Sequence, residues 1–188
     1  MNTNIWDRDL FSKAWEFAAI RHTNQTYGGK DEGVRVNYLN HLGSVYMEVM
    51  WALGQTEEKC DANLAVCCAV LHDVLEDTPT SFKELEEMFG VRIAKGVLAL
   101  TKNEKLPSKE NQMVDSLERI KKQPKEIWMV KLADRISNLN SPPFYWDKNK
   151  IQTYKAEGQQ ILDELGSCNN ALKERLKQRI ATYPDHSL

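Results

Sequence analysis

The sequence predicts an all-α protein of a single domain, and two observations carry this prediction. Almost every apolar cluster follows the three-and-four spacing of an α-helix rather than the alternation of a strand. No repeat, low-complexity tract or linker divides the 188 residues, a length that suits one hydrophobic core. We therefore expect residues 1–188 to form one domain.

The individual helices follow from these clusters and from the residues that flank them. Residues 62–75 are apolar nearly all round, so this segment should be the central helix. Ser81 and Glu84 form a capping box, and Gly90 ends the short helix that follows. Residues 24–40 contain three glycines and are expected to form a loop. Helices are expected at about residues 10–23, 41–53, 62–75, 81–90, 91–101, 108–121, 126–139, 148–165 and 171–183.

Charge and composition argue against several classes of protein. With 25 Lys and Arg against 27 Asp and Glu, the chain lacks the basic excess of nucleic-acid-binding proteins. The longest apolar run, residues 64–71, is far shorter than the roughly 18 residues of a membrane span. The first residues show no secretion signal, and the four cysteines show no CxxC spacing. We expect a cytoplasmic protein with reduced, mostly buried thiols and without nucleic-acid or membrane partners.

A group of acidic residues and one histidine lies at the polar end of the predicted central helix. His72 and Asp73 are followed by Glu76 and Asp77, which lie one turn further on if the helix continues. Close carboxylates repel one another unless a proton or a cation intervenes. A histidine beside an aspartate is also a suitable ligand pair for a divalent metal. The pattern therefore predicts a metal site.

Two further segments supply matching ligands. Asp134 lies in an otherwise apolar helix with Asn138 one turn later, and His41 opens another apolar helix. A carboxylate on a buried face needs a partner. His41, His72, Asp73 and Asp134 together would form a site of two imidazoles and two carboxylates, which suits Mn, Fe or Zn.

The chain resembles the HD-domain metal phosphohydrolases, and more narrowly the hydrolase domain of the RelA/SpoT homologues and their stand-alone small alarmone hydrolases. The resemblance covers about residues 18–166, within a motif-bearing core of about residues 10–166, and leaves the last predicted helix, 171–183, outside it. The segments that carry it are Ala19 to His22 with Gln25, Asn37 to Leu42, Ala69 to Thr80, Phe89 and Gly90 with Ala94, Leu100 to Lys102, Glu110 to Met113, and Val130 to Arg135 with Asn138.

This resemblance implies specific roles for the residues at the matching positions. The metal, usually Mn, would be held by His41, His72, Asp73 and Asp134, with Zn or Fe as alternatives. Glu76 and Asp77 would serve the hydrolytic water. Asn138 would contact the sugar of the nucleotide, and Tyr154 would line its pocket, whereas His22 is expected to be structural. The implied reaction removes pyrophosphate from the 3′ position of a (p)ppGpp-like alarmone.

The chain departs from the family in the loop that reads the base. Tyr27 and Gly28 occupy the positions of an Arg-Lys pair that lies against the guanine ring in the family, and the loop is a few residues longer. A tyrosine stacks on any purine but lacks the donor fork of arginine. We expect Tyr27 to stack on the base and Lys30 to supply a contact to it. Ser141, Pro142 and Pro143 interrupt a second stretch that continues without a break in relatives.

Several functions stay open at this point. The expected activity is a Mn-dependent alarmone 3′-pyrophosphohydrolase with a small nucleotide as its partner. The alternatives are a hydrolase of adenosine alarmones of the (p)ppApp type, a general HD-domain nucleotide phosphohydrolase, and a binding module without turnover. The sequence fixes no oligomeric state, so a homo-oligomer is also compatible with it.

Overall fold

The computed structural model describes residues 5–184, and these residues form a helical domain with one small β-hairpin. The all-α prediction is confirmed in its main feature. The helices and strands are, in chain order, α1 (Arg8–Arg21), β1 (Thr26–Gly28), β2 (Arg35–Asn37), α2 (Leu39–Gly54), α3 (Ala62–Leu71), α4 (Val74–Asp77), α5 (Phe82–Phe89), α6 (Val91–Leu100), α7 (Lys109–Lys121), α8 (Lys125–Asn138), α9 (Lys148–Leu165) and α10 (Asn170–Thr182). A 3₁₀ turn, Gly166–Cys168, joins the last two helices.

Helix α3 lies at the centre of the domain, as its sequence predicts. Nine of its ten side chains are buried, and it packs against α1, α2, α6 and α8. At Gly96 of α6, an added Cβ would lie only 2.5 Å from Ile127 and 2.9 Å from Cys68. This close approach requires a glycine, because a larger residue would push α6 away from α3 and α8.

The Ser81 half of the predicted capping box is found, whereas the carboxylate of Glu84 pairs with Arg21. Ser81 accepts a hydrogen bond from the backbone N–H of Glu84, at 3.2 Å.

The four cysteines are free thiols, and three of them are buried. Burial raises the pKa of Cys67 to about 12, which makes this thiol unreactive. No helix within residues 5–184 combines the length and the apolar character that crossing a membrane requires.

The prediction that the central helix runs without a break to residue 75 is wrong. Helix α3 ends at Leu71, His72 and Asp73 form a turn, and the one-turn helix α4 follows. The side chain of His72 contacts the carbonyl oxygen of Ala69 through Nδ1 at 2.9 Å. In a continuous helix the backbone N–H of residue 73 would bond this oxygen. The ring of His72 thus satisfies a carbonyl that the end of the helix leaves unpaired.

The prediction of a plain loop between residues 24 and 40 also needs correction, because the segment contains the antiparallel strands β1 and β2. Tyr27 pairs with Val36 in the centre of this hairpin. Arg35 donates from Nε and Nη2 to the hydroxyl of Thr26, at 3.0 and 2.8 Å. Gly33, with a φ of 79°, provides the left-handed residue of the turn. Strands of three residues are too short for the alternation of a strand to be visible in the sequence.

Candidate active site

Three packed helices and one turn bring the four predicted metal ligands together. His41 lies in the first turn of α2, His72 and Asp73 lie in the turn after α3, and Asp134 lies in α8. Helices α2, α3 and α8 contact one another in the core. The two histidines are 7% and 3% exposed, so the ligand atoms face a largely enclosed space.

The distances between these side chains are those of a group that can share one ion. The Nε2 atoms of His41 and His72 are 3.2 Å apart. Asp73 Oδ2 lies 2.9 Å from the Nε2 of His72 and 3.6 Å from that of His41. Asp134 Oδ1 lies 3.5 Å from the Nε2 of His41. His41, His72 and Asp134 each offer a ligand atom, and these three atoms all lie within 4.8 Å of one another.

The hydrogen bonding of His72 tests whether the donor set fits a cation. Nδ1 of His72 must donate to the carbonyl of Ala69, since a carbonyl oxygen only accepts. When the ring is neutral, the lone pair of its Nε2 therefore faces the Nε2 of His41 and the carboxylate of Asp73. Burial lowers the pKa of His72, but the charge of Asp73, its hydrogen bond and the charge of Asp134 raise it to about 9. The site thus demands positive charge, and its nitrogen and oxygen donors fit a divalent transition metal.

Asp134 is held in place from its own helix. Lys131 Nζ donates to its Oδ2 at 3.1 Å, and Asn138 Nδ2 donates to its Oδ1 at 2.5 Å. Burial raises the pKa of Asp134, but Lys131, His72 and His41 lower it to about 2. Asp134 is therefore ionised at neutral pH, as a metal ligand must be. Asn138, expected to contact the sugar, is engaged with this carboxylate in the free protein.

Asp73 is held by a tyrosine from another segment. The hydroxyl of Tyr38 donates to Asp73 Oδ2, and the ring of Tyr38 stacks on His22, with centroids 4.8 Å apart. Burial raises the pKa of Asp73, but His72 and His41 hold it well below its usual range. Burial and the neighbouring carboxylates raise the pKa of Tyr38 far above its usual value, so its hydroxyl stays protonated as a donor. Tyr38 thereby fixes the orientation of a candidate ligand.

Glu76 and Asp77 lie on the separate helix α4, so they do not extend the face of α3 as the sequence suggested. Each is bonded by a residue from elsewhere in the chain. Glu76 accepts hydrogen bonds from the backbone N–H and the Nζ of Lys102, at 2.9 and 2.6 Å. Asp77 Oδ2 accepts from Gln25 Nε2 at 2.9 Å. The Nδ1 of His22 contacts the other end of this amide at 2.6 Å, which fits the structural role expected for His22.

The hairpin brings Tyr27 to the edge of the candidate metal group. Its hydroxyl accepts a hydrogen bond from Asn40 at 2.7 Å, and its ring meets that of Tyr38 edge-on at 6.3 Å. Tyr145 covers the next residue, since a Cβ at Gly28 would lie 3.1 Å from its ring. The hairpin therefore packs against the chain just after the second segment that departs from the family pattern.

The two remaining predicted substrate residues lie in different surroundings. Arg135 lies over the ring of Tyr154, with the guanidinium carbon 4.0 Å from the ring centroid. Burial raises the pKa of Tyr154 to about 12 although Arg135 lowers it. Lys30 is exposed and lines a cavity of about 230 Å³ together with Asn140 and Phe144. None of the four metal-ligand candidates lines that cavity.

Sequence reasoning did not identify the side chains that hold the candidate site residues. These are Gln25, Tyr38, Lys102 and Lys131. Only Lys131 carries a local signal, because it lies three residues before Asp134 on the same helix. The other three reach the site across 26 to 52 residues of sequence.

Comparisons with known proteins show the family to which the chain belongs. The family model described as HD domain matches residues 14–168. The guanosine-3′,5′-bis(diphosphate) 3′-pyrophosphohydrolase MESH1 of Danio rerio is 35% identical over 169 residues, which cover 86% of this chain and 87% of the relative. The guanosine-3′,5′-bis(diphosphate) 3′-pyrophosphohydrolase of Spiroplasma citri is 32% identical over 157 residues, which cover 80% of this chain and 18% of that longer protein.

A solved structure shares the fold. It is a metazoan ortholog of SpoT, described as hydrolysing ppGpp and playing a role in starvation responses, and it superimposes with a TM-score of 0.79. The match covers 94% of this chain and 97% of that one, at 24% sequence identity. From the family match and the identity to the zebrafish protein, we conclude that this chain belongs to the HD domain family, in the group of MESH1 and the SpoT-like hydrolases.

Proposed function

We propose that this protein hydrolyses the 3′-pyrophosphate of guanosine-3′,5′-bis(diphosphate), giving GDP and pyrophosphate. One observation carries the proposal: the ligand atoms of two histidines and two aspartates converge in a buried space, with Glu76 and Asp77 on the next turn of the chain. Two relatives carry this activity in their names, MESH1 of Danio rerio and MESH1 of Mus musculus. Their matches cover 86% and 88% of this chain.

We propose that His41, His72, Asp73 and Asp134 hold one divalent metal, and that this metal is Mn²⁺. When bound, it would polarise a phosphate oxygen and lower the pKa of the attacking water. Two imidazole nitrogens and two carboxylate oxygens also suit Zn²⁺ or Fe²⁺. Which metal is bound therefore depends on the availability of each metal in the cell as well as on the ligands.

The reaction needs a proton acceptor and a position for the water. The water oxygen forms a bond to the phosphorus attached to the 3′ oxygen, and the bond between that phosphorus and the 3′ oxygen breaks. The 3′ oxygen takes up one proton, which balances the proton that the water gives up. Glu76 is proposed to accept the proton of the water at Oε1, and Asp77 to orient the water, because both carboxylates lie directly after the ligand pair. Asp77 is itself oriented by Gln25.

The nucleoside is proposed to lie between the hairpin and helices α8 and α9. Asn138 would exchange its bond to Asp134 for one to the sugar, and Tyr154 would line the pocket. Tyr27 would stack on the base, because its ring is held by Asn40 and Tyr38 at the edge of the site. Lys30, in the turn of the hairpin, would supply a contact to the edge of the base.

The hairpin favours a second candidate substrate, an adenosine alarmone. The face of Tyr27 offers no hydrogen-bond donor for the guanine edge, and its hydroxyl, which accepts a bond from Asn40, lies at the end of the ring and not on its face. A site of this kind discriminates poorly between purines.

We also propose a cytoplasmic location, whichever of the two substrates is used. The free thiols of the four cysteines are typical of a reducing compartment.

A nucleotide panel tests the proposal. The Mn-loaded protein is incubated with guanosine and adenosine 3′,5′-bis(diphosphates) and with GTP and GMP, and the products are separated by ion-exchange chromatography. We expect pyrophosphate with GDP or ADP from the two alarmones only. Release of orthophosphate, or comparable turnover of GTP or GMP, would instead indicate a general nucleotide phosphohydrolase. Nucleotide binding without any product would indicate a binding module.

A further inference from the structure

Lys102 binds both carboxylate oxygens of Glu76. Its backbone N–H donates to Oε2 at 2.9 Å, and its Nζ donates to Oε1 at 2.6 Å. The side chain of Glu76 is 16% exposed, whereas that of Lys102 is 52% exposed. The proposed proton acceptor is therefore enclosed, and the cation on it is open to solvent.

The backbone of Lys102 is fixed independently of Glu76. The guanidinium of Arg119 in α7 donates to the carbonyls of Leu98, Ala99 and Thr101 at the end of α6, at 2.8 to 2.9 Å. The hydroxyl of Thr101 adds a bond to Val97 at 2.9 Å. These bonds satisfy carbonyls that a helix end leaves unpaired. The N–H of Lys102 can thus hold Glu76 while the lysine side chain moves.

The charges around the site create a need for such a mobile cation. Asp73, Glu76, Asp77 and Asp134 are four carboxylates, and a polyphosphate would approach them against their repulsion. Lys131 cannot relieve it, since its side chain is 10% exposed and bonded to Asp134. Lys102 carries its charge securely. Burial lowers its pKa, but Glu76, and more weakly Asp134 and Asp73, raise it above its usual value.

We propose that Lys102 is a phosphate-binding residue of the substrate site, which rests on Glu76 in the free protein and moves to the pyrophosphate group when the substrate binds. This inference rests on the proposed function. The movement frees Oε1 of Glu76 to accept the proton of the water, while the backbone N–H of Lys102 keeps Oε2 in place. Glu76 Oε1 thereby becomes free to accept a proton only when the substrate is bound.

Binding of inorganic pyrophosphate to the Mn-loaded protein, measured by calorimetry, tests the proposal without requiring turnover. We expect Lys102→Met to weaken binding about tenfold to a hundredfold, the range for a lost hydrogen bond to a charged group. Lys102→Arg should weaken pyrophosphate binding much less than Lys102→Met does, because arginine keeps the positive charge. Lys105→Met is the matched control, since Lys105 is an exposed lysine in the same loop, and it should bind as the wild type does. Melting temperature and metal content show whether each variant folds.

A second comparison separates contact with phosphate from positioning of Glu76. The affinity for guanosine-3′,5′-bis(diphosphate) is measured in Glu76→Gln and in the double variant with Lys102→Met. If Lys102 contacts the phosphates, the double variant binds the nucleotide at least about tenfold more weakly. Equal affinities in these two proteins, equal pyrophosphate binding by the wild type and Lys102→Met, or no pyrophosphate binding by the wild type would each overturn the proposal. Failure of the proposed function would appear separately, as no hydrolysis by the wild-type protein.

Discussion

The Nε2 atoms of His41 and His72 face each other at 3.2 Å, although the two residues are 31 positions apart in the sequence. Nδ1 of His72 is committed to the carbonyl of Ala69, so the Nε2 of a neutral His72 ring is left as an acceptor that a metal ion can use. The contact joins the first turn of α2 to the break after α3. The break includes Asp73, whose carboxylate lies 2.9 Å from the Nε2 of His72, so the break is part of the site.

Asp73→Ala should abolish both metal binding and hydrolysis. The change removes the carboxylate that lies 2.9 Å from His72 and leaves Asp134 as the one anionic ligand of the proposed four. Metal content by atomic emission and turnover of the alarmone are the measurements. Asp163→Ala, at an exposed position of α9, is the control. One Mn²⁺ per chain with normal turnover in Asp73→Ala would remove the argument for this metal site.

Glu76→Gln should preserve the fold, the metal and nucleotide affinity but lower turnover by about 10²–10⁴-fold, the usual contribution of a general base. The amide can bond the water but cannot accept its proton. Single-turnover rates with saturating protein isolate this step. Glu87→Gln, on the exposed face of α5, should be neutral. Near-normal rates in Glu76→Gln would transfer the role of base to Asp77 or to the metal-activated water alone.

Tyr38→Phe tests the support of Asp73 by the tyrosine hydroxyl. The variant keeps the ring on His22 and removes the bond to the carboxylate. Loss of such an outer partner typically costs about 10- to 100-fold in metal affinity or activity. The measurements are Mn²⁺ affinity by competition with a chelating dye and kcat at saturating metal. Tyr46→Phe changes a tyrosine that packs on Phe11 and should leave both values unchanged. If Tyr38→Phe also left the Mn²⁺ affinity and kcat unchanged, the hydrogen bond to Asp73 would not be needed for either.

Tyr27→Ala should weaken use of the substrate through the loss of one contact between base and ring, about 1–3 kcal/mol or roughly tenfold to a hundredfold in kcat/KM. Metal content should not change. The wild type should discriminate between guanosine and adenosine alarmones by less than about tenfold, because a ring face accepts any purine. Both substrates are compared at equal concentrations below KM. A strong guanosine preference that survives Tyr27→Ala would show that the base is read elsewhere.

The positions of the candidate ligands could be predicted from the sequence because each is a polar residue in an apolar helical segment. His41, His72 and Asp134 lie in or at the end of helices that must pack together, so their side chains could be expected to meet. The break after Leu71 could not be predicted in this way. It depends on the contact between the ring of His72 and the carbonyl of Ala69, which periodicity does not report.

The partners of the acidic pair were missed for a related reason. Lys102 and Gln25 reach Glu76 and Asp77 across 26 and 52 residues, and such distances close only when α1, α3 and α6 pack. The short strands around Tyr27 carry too few residues to show a pattern. The catalytic and substrate-binding roles of these residues stay predictions until the variants are measured.

Titration of the metal-free protein with Mn²⁺ tests the central claim most directly. The chelated protein should not hydrolyse guanosine-3′,5′-bis(diphosphate), and added Mn²⁺ should restore release of GDP and pyrophosphate with a plateau at one metal per chain. Saturation at a hundredfold above Kd should stabilise the fold by about 2.7 kcal/mol, a rise of about 5–10 °C in melting temperature. Asp73→Ala should show neither response. Full turnover by the chelated wild-type protein, or metal-dependent turnover that releases orthophosphate instead of pyrophosphate, would contradict the account.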